Sequence, residues 1–222
     1  MDPVDVYLEA GSKRAFACSV TWPRWSRNGR DENAAITALL QYAERYGAAV
    51  GDAVRGFRVP GEVRVIERLS GGATTNFGAP AKAPECDRAP LDPVELDRQT
   101  SILRACWKAF DTASAAASGV ALRTGPRGGG RNLEKMVSHV TEAEASYTGA
   151  VGGRLQRAPG EPATLERVHD DFIAALGGRL RGEIPAEGPR GGVRWPSRYA
   201  IRRAAWHVLD HAWELEDRTR PI

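Results

Sequence analysis

The histidines are the residues of this chain best suited to metal chemistry. His207 and His211 lie four residues apart in the segment PSRYAIRRAAWHVLDHAWELEDR, residues 196–218. On an α-helix this spacing places both imidazoles on one face, with Cβ atoms about 5–6 Å apart. Two such side chains can share one metal ion when another element supplies a third ligand. The pair therefore predicts a metal site, although buried histidines more commonly satisfy a neighbouring polar group.

The segment around these histidines has the period of a helix from about Ser197 to Arg218. One apolar stripe consists of Ile201, Ala204, Ala205, Val208, Ala212 and Leu215. A second apolar surface consists of Trp206, Leu209 and Trp213. Only a narrow polar strip remains, made of Arg203, Asp210 and Glu214. A helix covered on two sides is expected to be central to its domain.

Three further helical patterns precede this helix, at about 92–119, 132–151 and 164–180. Together the four helices predict a four-helix bundle over residues 92–222. His139 lies on the second of them. If it meets His207 and His211 in the core, the site has three nitrogen ligands and an open position, as in catalytic zinc sites.

The first 69 residues have the pattern of a small α/β unit. Segments 4–10 and 14–20 alternate in polarity around a Gly11-Ser12-Lys13 turn, which predicts a hairpin. Residues 22–32 are predicted to be a loop, followed by a single helix and, after a Pro-Gly break, a third strand at 62–69. The expected unit is an antiparallel sheet with one helix across it.

Residues 70–91 are rich in Gly, Pro and Ala and have no period. They are predicted to form an extended linker, or a loop that covers a pocket of the second half. The predicted fold class is therefore α+β, with an α/β domain at 1–69, the linker at 70–91 and the bundle at 92–222.

Residues 1–69 resemble HicB-like domains. The resemblance rests on the paired strands, on Pro23, Trp25 and Gly29, and on Asp31-Glu32 running into an alanine-rich helix. It implies a fold similar to a degraded RNase H fold that usually lacks the carboxylates of a nuclease. The chain agrees with this, since Asp5, Glu9, Asp31 and Glu32 form no convincing two-metal set. The unit is therefore expected to be a structural or interaction module without nuclease activity.

Residues 92–222 resemble the DinB-like superfamily of metal-binding four-helix bundles. The resemblance rests on GRNLEKMVSHVTEAEASY (130–147) and RRAAWHVLDHAWELEDR (202–218). The family's metal triad maps onto His139, His207 and His211. Members include transferases and isomerases that use the low-molecular-weight thiols mycothiol or bacillithiol. The resemblance thus implies a divalent transition metal, zinc first and nickel as the alternative, because imidazole suits both ions.

Two functions follow from these patterns. The first is a metal-dependent enzyme, either a transferase that uses a low-molecular-weight thiol or a hydrolase, acting on a small-molecule substrate. The second is a non-enzymatic regulatory or interaction protein that uses the HicB-like unit and has a structural or vestigial metal site. The sequence names no substrate and no catalytic side chain.

Several polar residues near the histidines have two interpretations. His169 is a fourth ligand or, as we predict, a hydrogen-bonded core or interface residue. Glu142 lies one turn beyond His139 and is an outer partner or a solvated carboxylate. Arg203 and Arg131 are receptors for an anionic substrate or solvent-facing side chains. Asp210 is predicted to point away from both histidines.

Composition excludes several other classes. The formal charge of +3 gives no strong nucleic-acid signal, and no apolar run reaches the roughly 18 residues of a membrane span. Cys18, Cys86 and Cys106 are odd in number and widely spaced, and the acidic start MDPVD has no features of a signal peptide. A cytoplasmic protein is expected, and a homodimer stays open.

Overall fold

Four strands form one sheet in the first third of the chain. The structure, a computed structural model, describes residues 3–53, 56–125, 130–156, 161 and 163–219, so the first two residues of the acidic start lie outside it. The strands are β1 (Val4–Ala10), β2 (Ala15–Ser19), β3 (Ser26–Gly29) and β4 (Val63–Ser70). Their order in the sheet is β3-β2-β1-β4. The predicted hairpin of the first two strands is confirmed, with β1 and β2 antiparallel.

The sheet is mixed, and the prediction of an antiparallel one was wrong. β3 pairs with β2 in the antiparallel sense, whereas β4 pairs with β1 in the parallel sense. A parallel neighbour requires a long crossover, which the chain makes between β3 and β4. The prediction of a loop over 22–32 was also wrong for 26–29. The sequence SRNG of β3 contains no apolar residue and therefore gives no alternating signal.

Two helices, and not the single predicted one, form this crossover. They are α1 (Glu32–Gln41) and α2 (Ala43–Val50). Asp31 caps α1, as predicted, by accepting a hydrogen bond of 2.8 Å from the backbone N–H of Ala34. The chain breaks between the helices at Tyr42, whose ring centroid lies 5.3 Å from that of Trp213.

Residues 70–91 contain structure that their composition does not indicate. A short helix, α3 (Ala73–Phe77), is followed by a 3-10 turn at Glu85–Arg88. Glu9 of β1, which is fully buried, accepts hydrogen bonds from the Thr75 hydroxyl and from the backbone N–H groups of Ala81 and Lys82, the last two at 2.9 Å. The segment is therefore fixed to the sheet at one buried carboxylate.

The second half consists of four long helices. They are α4 (Pro93–Ala116), α5 (Leu133–Ala150), α6 (Leu165–Leu180) and α7 (Ser197–Thr219). α7 packs against α4 and α5, and α5 packs against α6. The stacked rings of Trp107 and His169 join α4 to α6. The chain is thus a mixed α+β protein with seven α-helices and one four-stranded sheet in its described part.

α7 lies between the other long helices and the sheet, in the central position that its two apolar surfaces predict. Its apolar stripe is buried, and Trp206 contacts Phe16 of β2 edge to face, with ring centroids 6.2 Å apart. One continuous cluster of buried apolar side chains extends from β1 and β2 through α7 into α4 and α5. The division into domains at 70–91 stays a prediction.

No described helix combines the length with the apolar character required to cross a lipid bilayer.

Candidate metal centre

Three imidazoles converge where α5 meets α7. Nε2 of His207 lies 3.1 Å from Nε2 of His139. The ring of His211 is centred 5.0 Å from that of His139 and 4.6 Å from that of His207. One ligand nitrogen of each residue lies within 4.8 Å of the others, and the described residues contain no second group of three His, Cys, Asp or Glu so arranged. The structure thus brings together the three histidines that the sequence predicts.

The neighbours of each histidine in the sequence set the direction of its side chain. Met136 and Val140 turn one face of α5 into the core, and Val208 and Ala212 do the same for α7. His207 is consequently buried, with 6 % of its surface exposed, while the other two histidines are half-buried. The cluster therefore has a closed inner side and an accessible outer side.

The separation of the first two ring nitrogens suits a shared ion. Metal–nitrogen bonds of about 2.0–2.1 Å at a tetrahedral angle place two ligand nitrogens about 3.3 Å apart. The two Nε2 atoms of His139 and His207 are 3.1 Å apart, close to this value. The ligand nitrogen of His211 lies within 4.8 Å of the other two. The donor set, three imidazoles without a carboxylate, fits zinc and nickel.

Two of the three imidazoles, those of His139 and His207, are held in the neutral form by their surroundings. Burial lowers the pKa of His139 from 6.5 to about 4, and the positive charges of His211 and Arg131 act in the same direction. Burial is also the main reason that the pKa of His207 lies well below its ordinary value. Because a metal ligand must be a neutral imidazole, these environments leave the required lone pairs available.

Glu214 is the outer partner of His211. Its Oε2 lies 3.2 Å from Nδ1 of His211, and its Oε1 accepts a hydrogen bond of 3.1 Å from Nη1 of Arg218. The contact with His211 is the main cause that lowers the pKa of Glu214, which is therefore ionised at pH 7. A carboxylate at one ring nitrogen fixes the tautomer and leaves the other nitrogen for the metal.

The sequence pattern places Glu214 only on the polar strip of α7 and does not predict this role. Its spacing of three residues from His211 is the signal that could have indicated the contact. His207 has no equivalent, since its buried Nδ1 lacks a hydrogen-bond partner among the described residues.

His169 lies outside the cluster and has a carboxylate of its own. Its Nε2 is 2.9 Å from Oε2 of the buried Glu144, an ion-pair distance, although the atoms are not aligned for a hydrogen bond. Its ring stacks on Trp107 with centroids 3.8 Å apart, and Nε1 of Trp107 donates to Glu144 at 3.0 Å. His169 thus lies in the interior beside a polar partner and outside the cluster, as the preferred interpretation expects, but at ion-pair distance and without the expected hydrogen bond.

The other two candidate carboxylates near the histidines do not face them. Glu142 is exposed and accepts a hydrogen bond of 3.0 Å from the Ser138 hydroxyl. Asp210 points toward the sheet, where it lies 3.3 Å from Nη1 of Arg27 and 3.7 Å from Nη2 of the buried Arg24. The solvated interpretation of Glu142 and the predicted direction of Asp210 are therefore both correct.

The acidic residues of the first 69 positions are each engaged separately. Asp5 pairs with Arg64 at 2.6 Å, Asp31 caps α1, and Glu32 pairs with Arg68 at 3.2 Å. Glu9 is enclosed by its three donors. These four carboxylates do not converge on one point, so this part of the structure offers no two-metal nuclease site.

Comparison of the chain with protein-family models, with curated proteins and with solved structures gave no match. Function is therefore inferred from the geometry of the histidine cluster.

Proposed function

We propose that His139, His207 and His211 bind one divalent transition metal ion, zinc in the first place and nickel as the alternative. We further propose that the chain is a DinB-like metal-dependent enzyme that acts on a small molecule. The reaction is either transfer to or from a low-molecular-weight thiol or a hydrolysis. The observation that carries the proposal is the distance of 3.1 Å between two ring nitrogens that belong to different helices.

The facing ring nitrogens of His139 and His207 can share one proton in an N–H···N hydrogen bond or can share one metal ion. Each ring has one N–H and one lone pair, so of the facing pair only one nitrogen can donate. The third ring adds another nitrogen within 4.8 Å. A divalent ion satisfies all three lone pairs at once, which a proton cannot do.

The residues around the ion have separate tasks. The three imidazoles hold it and leave at least one position for a reactant, and Glu214 orients His211 through Nδ1. The buried inner side, formed by residues such as Val140 and Val208, keeps bulk water from that side of the cluster. A divalent ion in such a site supplies a Lewis acid that activates a water or a thiol.

Metal content of the intact chain tests the first half of the proposal. Protein purified without chelator and resupplied with zinc or nickel is expected to hold one ion per chain by elemental analysis. His169→Ala is the matched control, because it removes an imidazole outside the cluster. Wild-type protein that takes up no stoichiometric metal would refute the proposal.

Cobalt substitution tests the second half. The visible absorption of the cobalt-loaded protein is titrated with a small thiol such as 2-mercaptoethanol. A new near-ultraviolet charge-transfer band, diagnostic of a thiolate ligand, supports the thiol-dependent transferase. A spectrum that the thiol leaves unchanged but that another added ligand alters shows an open position without thiolate binding, and this supports the hydrolase. A six-coordinate or closed four-coordinate spectrum that no added ligand alters points to the alternative, a regulatory protein with a structural ion.

A further inference from the structure

Arg203 occupies a distinctive position on α7. It lies four residues before His207, which in turn lies four residues before His211, so all three side chains share one stripe of the helix. The guanidinium is half-buried and is held by one hydrogen bond of 2.8 Å from Nη1 to the carbonyl oxygen of Pro80. The Cβ atom of Arg203 thus lies one helical turn, about 5–6 Å, from that of His207, the nearest histidine of the cluster.

The other arginines described on α7 have carboxylate partners, and Arg203 does not. Arg198 lies 3.1 Å from Glu95, Arg202 lies 2.7 Å from the buried Asp87, and Arg218 lies 3.1 Å from Glu214. No ion pair joins Arg203 to an acidic side chain among the described residues. A guanidinium without a carboxylate beside a candidate metal site is suited to an anion from outside.

An aromatic wall lies next to this guanidinium and consists of Tyr147, Trp195 and Tyr199. Its ring centroids are 5.4 Å apart for Tyr147 and Trp195, and 4.9 Å apart for Trp195 and Tyr199. The wall reaches the metal centre, because the ring of Tyr147 is 5.9 Å from that of His207. It reaches Arg203 as well, whose Cζ lies 5.9 Å from the Tyr147 centroid.

The charge of the site favours an anion too. Three imidazoles bring no negative charge to a divalent ion, and the charge of Glu214 is offset by Arg218 at 3.1 Å. The loaded site therefore has a net positive charge, and it attracts negative groups from solution.

From these observations we infer that the site takes a small organic carboxylate. Its carboxylate pairs with the Arg203 guanidinium, and its apolar body lies along the aromatic wall within reach of the metal. This inference rests on the proposed metal site and names the substrate class for it. The planar fork of a guanidinium matches the two oxygens of a carboxylate. Tyr147 and Tyr199 are buried, so the half-buried ring of Trp195 is the part of the wall that can meet an apolar ring or chain.

The test is the binding of benzoate to the cobalt-loaded full chain, measured by visible absorption and by calorimetry. Wild-type protein is expected to bind benzoate more tightly than acetate, which lacks an apolar body. Arg203→Gln is expected to weaken benzoate binding by about tenfold to hundredfold, the loss typical of a hydrogen bond to a charged group. Arg203→Lys keeps the charge and should restore part of the affinity. Arg104→Gln, on the exposed side of α4, is the matched control and should have no effect.

Cobalt occupancy near one in each variant shows that the site is intact. Equal benzoate affinity of wild-type protein and Arg203→Gln at full occupancy would overturn the inference, since the carboxylate would then bind through the metal alone. Inorganic phosphate that binds more tightly than benzoate, in an Arg203-dependent way, would overturn the choice of a carboxylate.

The two proposals can fail separately. If the chain takes up no metal, the same calorimetric titration is made on the metal-free protein. Benzoate binding that depends on Arg203 would then support the carboxylate site while the metal proposal fails. If the metal-free protein shows no benzoate binding that depends on Arg203, the metal proposal and the carboxylate proposal both fail.

Discussion

The chain contains two histidine environments. In one, a buried carboxylate lies beside a single imidazole, and in the other, three imidazoles lie beside one another. His169 lies 2.9 Å from the buried carboxylate of Glu144, and its ring is stacked on Trp107. His139, His207 and His211 face one another, and the nearest carboxylate, Glu214, is at the outer nitrogen of His211. In the first environment the imidazole has a carboxylate at ion-pair distance, whereas in the second the imidazoles have one another, an arrangement suited to the proposed cation.

This difference indicates how the surroundings of an imidazole can distinguish a structural histidine from a candidate metal ligand. Burial alone does not distinguish them, because the side chains of His169 and His211 are equally exposed at 12 %. Each has a carboxylate partner, so the neighbouring rings distinguish them: His211 lies beside two imidazoles, whereas His169 lies beside Trp107. A carboxylate supplies the charge that balances a protonated ring, but neighbouring imidazoles oppose protonation and favour a metal.

Removal of one histidine of the cluster should have the largest effect, a loss of zinc affinity. His139→Ala, His207→Ala and His211→Ala are each expected to weaken zinc binding on the order of 100-fold or more, since even outer partners of metal ligands contribute about 10–100-fold. His169→Ala should leave the affinity unchanged. Competition with a chromophoric chelator measures the affinities. Full occupancy in His139→Ala would mean that the third ligand comes from another residue.

Glu144→Ala should destabilise the fold and leave metal binding intact. The change removes the acceptor of the buried Trp107 N–H and the partner of His169. We expect a decrease of about 2–3 kcal/mol in the free energy of unfolding, because buried polar groups are left without partners. Urea denaturation measures it, with Glu142→Ala on the exposed face of the same helix as control. If zinc affinity fell with Glu144→Ala but stability did not, the two environments would not be independent.

Glu214→Gln should weaken zinc binding although it removes none of the three histidines. An amide at this position loses the charge that orients His211, so zinc affinity is expected to decrease about tenfold, at the lower end of the range for outer partners. The same chelator competition applies, and Glu142→Gln is the matched control because the Glu142 side chain is exposed and accepts a hydrogen bond from Ser138, not from a histidine of the cluster. A zinc affinity equal to that of wild-type protein would mean that Glu214 does not orient His211 and serves only as the ion-pair partner of Arg218.

Acid should destabilise the metal-free protein through the cluster, and this effect should be the smallest. The pKa of His139 is about 4 in the folded chain and 6.5 in its ordinary state, so the unfolded chain binds more protons between these values. Stability therefore decreases as the pH falls from about 6.5 to about 4, and this contribution becomes constant below about 4. The difference in melting temperature between wild-type protein and His139→Gln, followed across this range, isolates the contribution. A difference that does not change with pH would contradict it.

The sequence predicts the elements that hold the site because their signals are local. The helical period and the caps Asp92, Asn132 and Thr164 specify α4, α5 and α6 to within a few residues. The i,i+4 spacing places His207 and His211 on one face of α7. That His139 reaches them depends on packing between helices, and it was predicted from the resemblance to a family more than from spacing.

What the sequence does not show arises from contacts over long separations. β3 has no apolar alternation, and the parallel pairing of β4 with β1 depends on where the crossover returns. The buried polar residues Glu9 and Glu144 look like ordinary surface carboxylates in the sequence, because their donors come from segments 66 and 37 positions away. Such pairs become visible only when the chain is folded.

Asp210 lies between the two ligands of α7 in sequence and faces the opposite way, toward Arg24 and Arg27 of the sheet unit. One helix therefore connects the candidate metal centre to a sheet that carries none of its three histidines. A ligand that binds only the folded chain adds its binding free energy to folding, about 4 kcal/mol at a thousandfold excess over Kd. Since one apolar core joins α7 to β1 and β2, the amide protons of these strands should exchange more slowly when zinc is added. Amide exchange in the sheet would then show whether the three histidines hold an ion.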